Sequence, residues 1–158
     1  MEWSEERFWA LLHESGGDEG RLQKLLRSES IDTVRAFARM FDQKLVELYR
    51  WDIWGAGYVI AGGMGDDSFH YFCSWILGKG QECYQAALSD PDSLGKFVDD
   101  PEECDNEGLE YAAVAILGDN AEQEATTGSA DREPTGTPWE EDDLESLFPT
   151  LWQQFGEE

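Results

Sequence analysis

The spacing of apolar residues between positions 31 and 49 constrains this chain more than any other feature. Ile31, Val34, Ala38, Phe41, Leu45 and Leu48 recur at steps of three and four, and Phe37 and Tyr49 widen the same stripe. An α-helix turns once every 3.6 residues, so this spacing puts them on one face, whereas a strand would alternate with period two. The stripe predicts a helix over residues 30–49, with Arg35, Arg39, Lys44 and Glu47 on its solvated side. A helix with so broad an apolar face needs other elements to cover it.

The same period recurs along the chain. Ser4 is placed to cap a first helix, with Glu5 and Glu6 in its first turn and Trp3 and Phe8 spaced as a hydrophobic staple. Phe8, Leu11 and Leu12 form its apolar face, and Gly16-Gly17 ends it; a short helix around Leu22, Leu25 and Leu26 follows. The run from Trp51 to Ala61 is apolar nearly all round, which predicts a helix buried on most sides, broken at Gly62-Gly63-Met64-Gly65. Asp66 and Asp67 then open a helix carrying Phe69, Phe72, Trp75, Ile76 and Leu77, with Gly78 as its stop. Further helical stretches are expected over 81–88, from Pro91 through Phe97, and over 107–117. Residues 119–137 hold no aromatic or large aliphatic side chain and predict a flexible acidic linker. Beyond it, Trp139, Leu144, Leu147, Phe148, Leu151, Trp152 and Phe155 carry too much apolar surface to stay in water. The expected architecture is a single compact all-α domain: a helical core over 1–118, the linker over 119–137, and a C-terminal segment, 138–158, that packs back on the core.

Charge narrows the function classes. The 158 residues include 35 acidic and 11 basic side chains, a formal net charge of −24. The imbalance is concentrated late: residues 1–89 carry 14 acidic and nine basic side chains, residues 90–158 carry 21 and two. Such a surface repels nucleic-acid phosphates and anionic lipid headgroups, so direct nucleic-acid or membrane binding is disfavoured, which leaves a basic protein partner, or no partner with the acidity serving solubility. Cys73, Cys83 and Cys104 show no CxxC spacing and suggest reduced thiols. The N-terminus has no signal-peptide pattern, no apolar run reaches the roughly 20 residues of a membrane span, and the expected location is cytoplasmic.

The centre of the chain resembles the bacterial DUF4240 family, a domain family of unknown function. The residues that carry the likeness are Phe8-Trp9, the run Trp51-Asp52-Ile53-Trp54-Gly55-Ala56-Gly57-Tyr58-Val59-Ile60, and Gly62-Gly63. They continue with Asp66-Asp67-Ser68-Phe69, Tyr71-Phe72, Trp75-Ile76 and Asp90-Pro91-Asp92-Ser93-Leu94, then Trp139 and Pro149-Thr150-Leu151-Trp152. Two positions depart from the pattern. Met64-Gly65 stands where the family has Cys-Ser, and Cys73-Ser74 where it has Arg-Gly. The likeness implies the domain and no activity.

Three acidic residues are the candidates for chemistry. Asp66 and Asp67 sit at the mouth of a glycine-rich loop before a helix, where two carboxylates would repel a phosphate but suit a hard cation, helped by Glu107 or Glu110. The simpler expectation is that one of them caps the helix and the other lies in its first turn. Asp52, within an apolar run, must be paired if buried, with Arg35, Arg39 or Arg50; otherwise it could serve as a general base in an aromatic pocket. Trp51, Trp54, Tyr58, Tyr71 and Trp75 are the candidate lining of that pocket, although aromatic residues at helical spacing are usually core. His13 and His70 are isolated, no Ser sits in a G-x-S-x-G turn, and the sequence implies no cofactor and no metal. The favoured reading is a protein-binding or regulatory module. The alternatives are a metal-dependent or hydrolase-like enzyme using Asp66 and Asp67, and a nucleic-acid mimic that binds a basic DNA-binding protein. The sequence sets neither ligand nor oligomeric state.

Overall fold

The structure, a computed structural model, describes residues 3–106, 108–109, 111–117 and 134–156. It is all-α: among the described residues the only extended pairing is an isolated parallel bridge between Arg50 and Thr135. The chain runs through α1 (Glu5–Ser15), α2 (Glu19–Arg27), α3 (Ile31–Leu48), α4 (Trp51–Ala61), α5 (Asp66–Lys79) and α6 (Gln81–Ser89). Tight 3-10 turns at Pro91–Phe97 and Pro101–Glu103 lead to α7 (Tyr111–Leu117). After residue 134 come a 3-10 turn at Glu141–Asp143, a helical turn at Leu144–Leu147, and the C-terminal helix Pro149–Phe155.

Local chemistry sets most of these boundaries. The Arg7 N–H donates to Ser4 Oγ at 3.2 Å and the Arg21 N–H to Asp18 Oδ2 at 2.9 Å, so α1 and α2 begin at capping side chains. The Trp3 ring meets Phe8 edge to face at 6.4 Å, which makes the expected staple real. α1 and α4 end at Gly16 and Gly62, whose φ values of 63° and 74° are left-handed.

Several boundaries differ from the sequence expectation. α5 runs past Gly78 to Lys79, and Gly80 is its stop. A Cβ on Gly78 would lie 3.0 Å from Leu109 Cδ2, so this glycine marks close packing rather than a helix end. α7 starts at Tyr111, and the proposed Glu107 and Glu110 lie outside the described residues. Most of the 119–137 linker also lies outside them. Its last residues, 134–137, are described, and Thr135 is tied down there: its carbonyl accepts the Trp51 N–H at 2.9 Å and its N–H reaches the Tyr49 carbonyl at 3.1 Å.

α3 packs against α5, α6 and α7, and its apolar stripe is buried from Val34 to Leu48, whereas Ile31, the first residue of the stripe, is 47% exposed. The core around it is aromatic, with Phe8, Phe37 and Phe41 in mutual contact and Phe69 and Phe72 fully buried. Lys44 contradicts the expectation of a solvated face. It is 8% exposed, its Nζ 2.8 Å from Glu5 and 4.9 Å from the centroid of the Tyr84 ring. The C-terminal segment lies on α4 and the Pro91–Phe97 turn, with Leu144, Phe148 and Leu151 buried.

Candidate functional site

α4 places Trp51, Trp54 and Tyr58 at steps of three and four, and the structure brings these three together on one partly exposed face. Trp51 and Trp54 stack at 5.2 Å with their planes 10° apart, and Trp54 in turn stacks on Phe69 of α5 at 4.9 Å. The Trp54 indole N–H donates to the Met64 carbonyl at 2.9 Å, which fixes the ring over the glycine-rich loop. Trp139, from the far end of the chain, completes the cluster. Its ring meets Trp51 edge-on at 6.0 Å and Tyr58 at 5.2 Å, and its N–H donates to the Trp51 carbonyl at 2.7 Å.

The other two aromatic candidates are elsewhere. Trp75 stacks on Phe72 at 5.6 Å beneath Lys79, and it is buried. Tyr71 packs beside His70 at 5.9 Å. The five rings therefore do not line one pocket, because α5 turns Tyr71 and Trp75 away from the face that Phe69 shares with Trp54. An open cleft of about 410 Å³ lies by α2, lined by Glu14, Arg21, Lys24 and Leu25, and includes none of the candidates.

Asp52 is not buried. Its side chain is 44% exposed and held by Arg50 in a two-point fork, Nε to Oδ1 at 2.9 Å and Nη2 to Oδ2 at 2.6 Å. Arg50 also donates to the Leu88 carbonyl at 3.2 Å, and its pairing with Asp52 holds its pKa above the usual value. The ion pair expected for Asp52 is formed, with Arg50. The buried general base is not: a half-exposed carboxylate already saturated by a guanidinium has no apolar pocket to work in.

Asp66 and Asp67 both lie in the first turn of α5, and neither caps it. Gly65 occupies the cap position, with no side chain to accept the free N–H groups. The expectation that one aspartate caps the helix is thus corrected by one residue, because Gly65 already has the extended backbone of a cap. Both carboxylates are exposed, where they complement the positive helix end. Among the described residues no three His, Cys, Asp or Glu side chains converge as they would around a metal ion.

A second acidic edge comes from the Glu140–Asp143 turn, which forms a capping box of its own. The Tyr58 hydroxyl donates to Glu141 at 2.5 Å, and this hydrogen bond raises the Tyr58 pKa. The aromatic face therefore has carboxylates on two sides: Glu140, Glu141, Asp142 and Asp143 beside Trp139 and Tyr58, and Asp66 and Asp67 one turn before the Phe69 ring under Trp54. The periodicity of α4 made Trp51, Trp54 and Tyr58 legible. Trp139 and Glu141 were not, since they are more than 80 residues away in sequence.

Of the two departures from the family pattern, Met64-Gly65 lies in the loop before α5, with Met64 half-buried and Gly65 exposed, and Cys73-Ser74 is internal. Ser74 is fully buried and its Oγ has no partner among the described residues, while the Cys73 thiol points to the Leu48 carbonyl at 3.8 Å. All three cysteines are free and buried, and burial pushes the thiols of Cys83 and Cys104 up to about 12.

Fold and face together define a class: an acidic, all-α domain whose clearest surface feature is an aromatic cluster flanked by carboxylates. The chain belongs to the DUF4240 family, described as a protein of unknown function, whose family model matches residues 3–121. Trp139 and Pro149-Thr150-Leu151-Trp152 lie beyond that match. Neither a curated protein nor a solved structure matches the chain.

Proposed function

We propose that this domain is a binding module for a basic protein segment, engaged by the face formed by Trp51, Trp54, Tyr58 and Trp139. The observation that carries this reading is the flanking of partly exposed rings, packed on one another by stacking and edge contacts, by exposed carboxylates. Guanidinium and ammonium groups are attracted to aromatic faces, and aromatic clusters are the usual anchors of protein interfaces. Arg50, next to Trp51 in the chain, is already neutralised by Asp52. Elsewhere Arg7, Lys44 and Lys79 are similarly engaged by Glu29, Glu5 and Asp99, which leaves the field of the molecule strongly negative. No helix among the described residues is long and apolar enough to cross a membrane. Buried free thiols fit a reducing, cytoplasmic setting.

The test is a fluorescence titration of the seven tryptophans with an oligo-arginine peptide at low and high salt. Saturable binding is expected, weakening as salt rises. Trp54→Ala and the joint replacement Glu140→Gln with Asp142→Asn should each weaken it by about tenfold. Replacing distant acids, Glu14→Gln and Glu82→Gln, should not. Equal losses from near and distant replacements would reduce the effect to bulk charge and refute the site. The nucleic-acid mimic is one case of the same reading, marked by duplex DNA competing for a DNA-binding partner. The metal-dependent reading has its own readout: a saturable rise in melting temperature with Mg²⁺ or Ca²⁺, lost in Asp66→Asn and in Asp67→Asn, would replace ours.

A further inference from the structure

We propose that the open cleft beside α2 binds a phosphate monoester on a small polar body. Arg21 and Lys24 hold the phosphate, and Glu14 accepts a hydrogen bond from a hydroxyl or amine of the body. The cleft shares no lining residue with the aromatic face, and the inference stands without the basic-partner reading.

Three observations carry it. The first is charge left open. With 35 acidic side chains against 11 basic ones, a cation in this chain has carboxylates to spare. Arg7, Arg35, Lys44, Arg50 and Lys79 each have a carboxylate partner. Arg21, Lys24 and Arg27, all on α2, have none among the described residues. The acids around them are committed elsewhere. Asp18 accepts the Arg21 backbone N–H at 2.9 Å and so caps α2. Glu29 holds Arg7, and Glu19 lies against Gly108, where a Cβ would come 2.9 Å from the Glu19 Cδ.

The second is that this arrangement works against the helix. Arg21 stands in the first turn of α2, three residues after its cap, where the positive helix end disfavours a cation. Lys24 and Arg27 follow at steps of three, so like charges are neighbours along the helix with no acid between them. The helix dipole accounts for Lys24 and Arg27 in the last turn and not for Arg21. A local rule broken without structural gain is characteristic of a functional site.

The third is the cleft itself. It holds about 410 Å³, within the range of roughly 300–1,000 Å³ that small-molecule sites span. Arg21, Lys24 and Glu14 are exposed there, and Leu25 is half-buried against the core, so the lining joins charge to an apolar patch. A guanidinium offers a fork that fits two phosphate oxygens, and an ammonium beside it supplies a point charge. A phosphate monoester carries about two negative charges at neutral pH, which matches the pair. Glu14 repels a second anionic group and accepts hydrogen bonds, so it selects a body that bears hydroxyls or amines. The negative field of the rest of the molecule does not prevent binding. At about 0.15 M salt the screening length is about 8 Å, and the cations in the cleft outweigh distant carboxylates.

The experiment titrates the full chain, isotope-labelled for amide NMR, with inorganic phosphate, glycerol phosphate and glycerol in about 0.15 M NaCl. Amide signals of residues 18–27 should shift saturably with both phosphates and not with glycerol. Glycerol phosphate should bind more tightly than inorganic phosphate, and Glu14→Gln should remove that advantage. Arg21→Gln and Lys24→Gln should each weaken both phosphates by about tenfold. Lys96→Gln, on a separate element, should not. Neither α2 variant should melt below the wild type, because each removes a like-charged neighbour. Shifts that never saturate, or that Lys96→Gln reduces as much, would show an adventitious ion only and overturn the proposal. A lower melting temperature in both α2 variants would overturn it too, by showing that the cations serve the fold. None of these outcomes affects the oligo-arginine titration.

Discussion

Lys44 shows how one residue ties three helices together. Its stem and ammonium lie against Tyr84 of α6 and Trp9 of α1, and the charge is met by Glu5, which also accepts the Trp9 indole N–H at 3.1 Å. The position was legible in principle. Lys44 falls seven residues after Phe37, three after Phe41 and four before Leu48, in the middle of the α3 stripe. A long side chain tolerates such a place if its methylenes are covered and its end is paired. The hydrogen bond from Lys44, with that from Trp9, holds the Glu5 pKa below the ordinary 4.5. A carboxylate with a depressed folded value adds stability that is complete above its unfolded value and lost as pH falls through the folded one. The difference in melting temperature between wild type and Glu5→Gln should therefore be constant at neutral pH and shrink to nothing below 4.5. A difference that persists or grows in acid would show that the ionic contact is not what Glu5 contributes.

Among the elements, α4 is the one whose sequence carries the most and whose surroundings decide the most. Its apolar run fixes a helix, and its steps of three and four fix the Trp51, Trp54 and Tyr58 face. That Gly55 is an opening rather than a weakness appears only when Phe148 and Trp139 are in place. Alanine at 55 should gain about 0.5–1 kcal/mol in helix propensity. It should lose about 1–3 kcal/mol by overpacking. Urea denaturation of Gly55→Ala is expected to show a net loss, and a net gain would mean that the segment yields without cost. α5 teaches the complementary lesson. Glycine at 78 looks like a stop in sequence, but the helix continues because the residue faces Leu109 and Gly17 at close range.

For the whole molecule the governing quantity is the net charge of −24, which opposes compaction and is screened by salt. Raising NaCl from about 0.01 M to about 0.1 M shortens the screening length from about 30 Å to about 10 Å. The melting temperature should rise over that range, and a fall would show that attractive surface pairs outweigh the repulsion. Fold class and most helix positions were determined by sequence, because they depend on local periodicity and caps: the α3 stripe, Ser4, Gly16 and Gly62 are readable one turn at a time. The asymmetry of charge was readable too, being a property of composition. The tertiary structure alone decided that Asp52 is claimed by Arg50 and that Gly65, rather than either aspartate, holds the cap position of α5. It alone divided the five aromatic candidates, leaving Tyr71 and Trp75 apart from the rest, and supplied Trp139 and Glu141 in their place. Those outcomes rest on contacts between residues distant along the chain, and such contacts are set by how helices pack rather than by the period within any one of them.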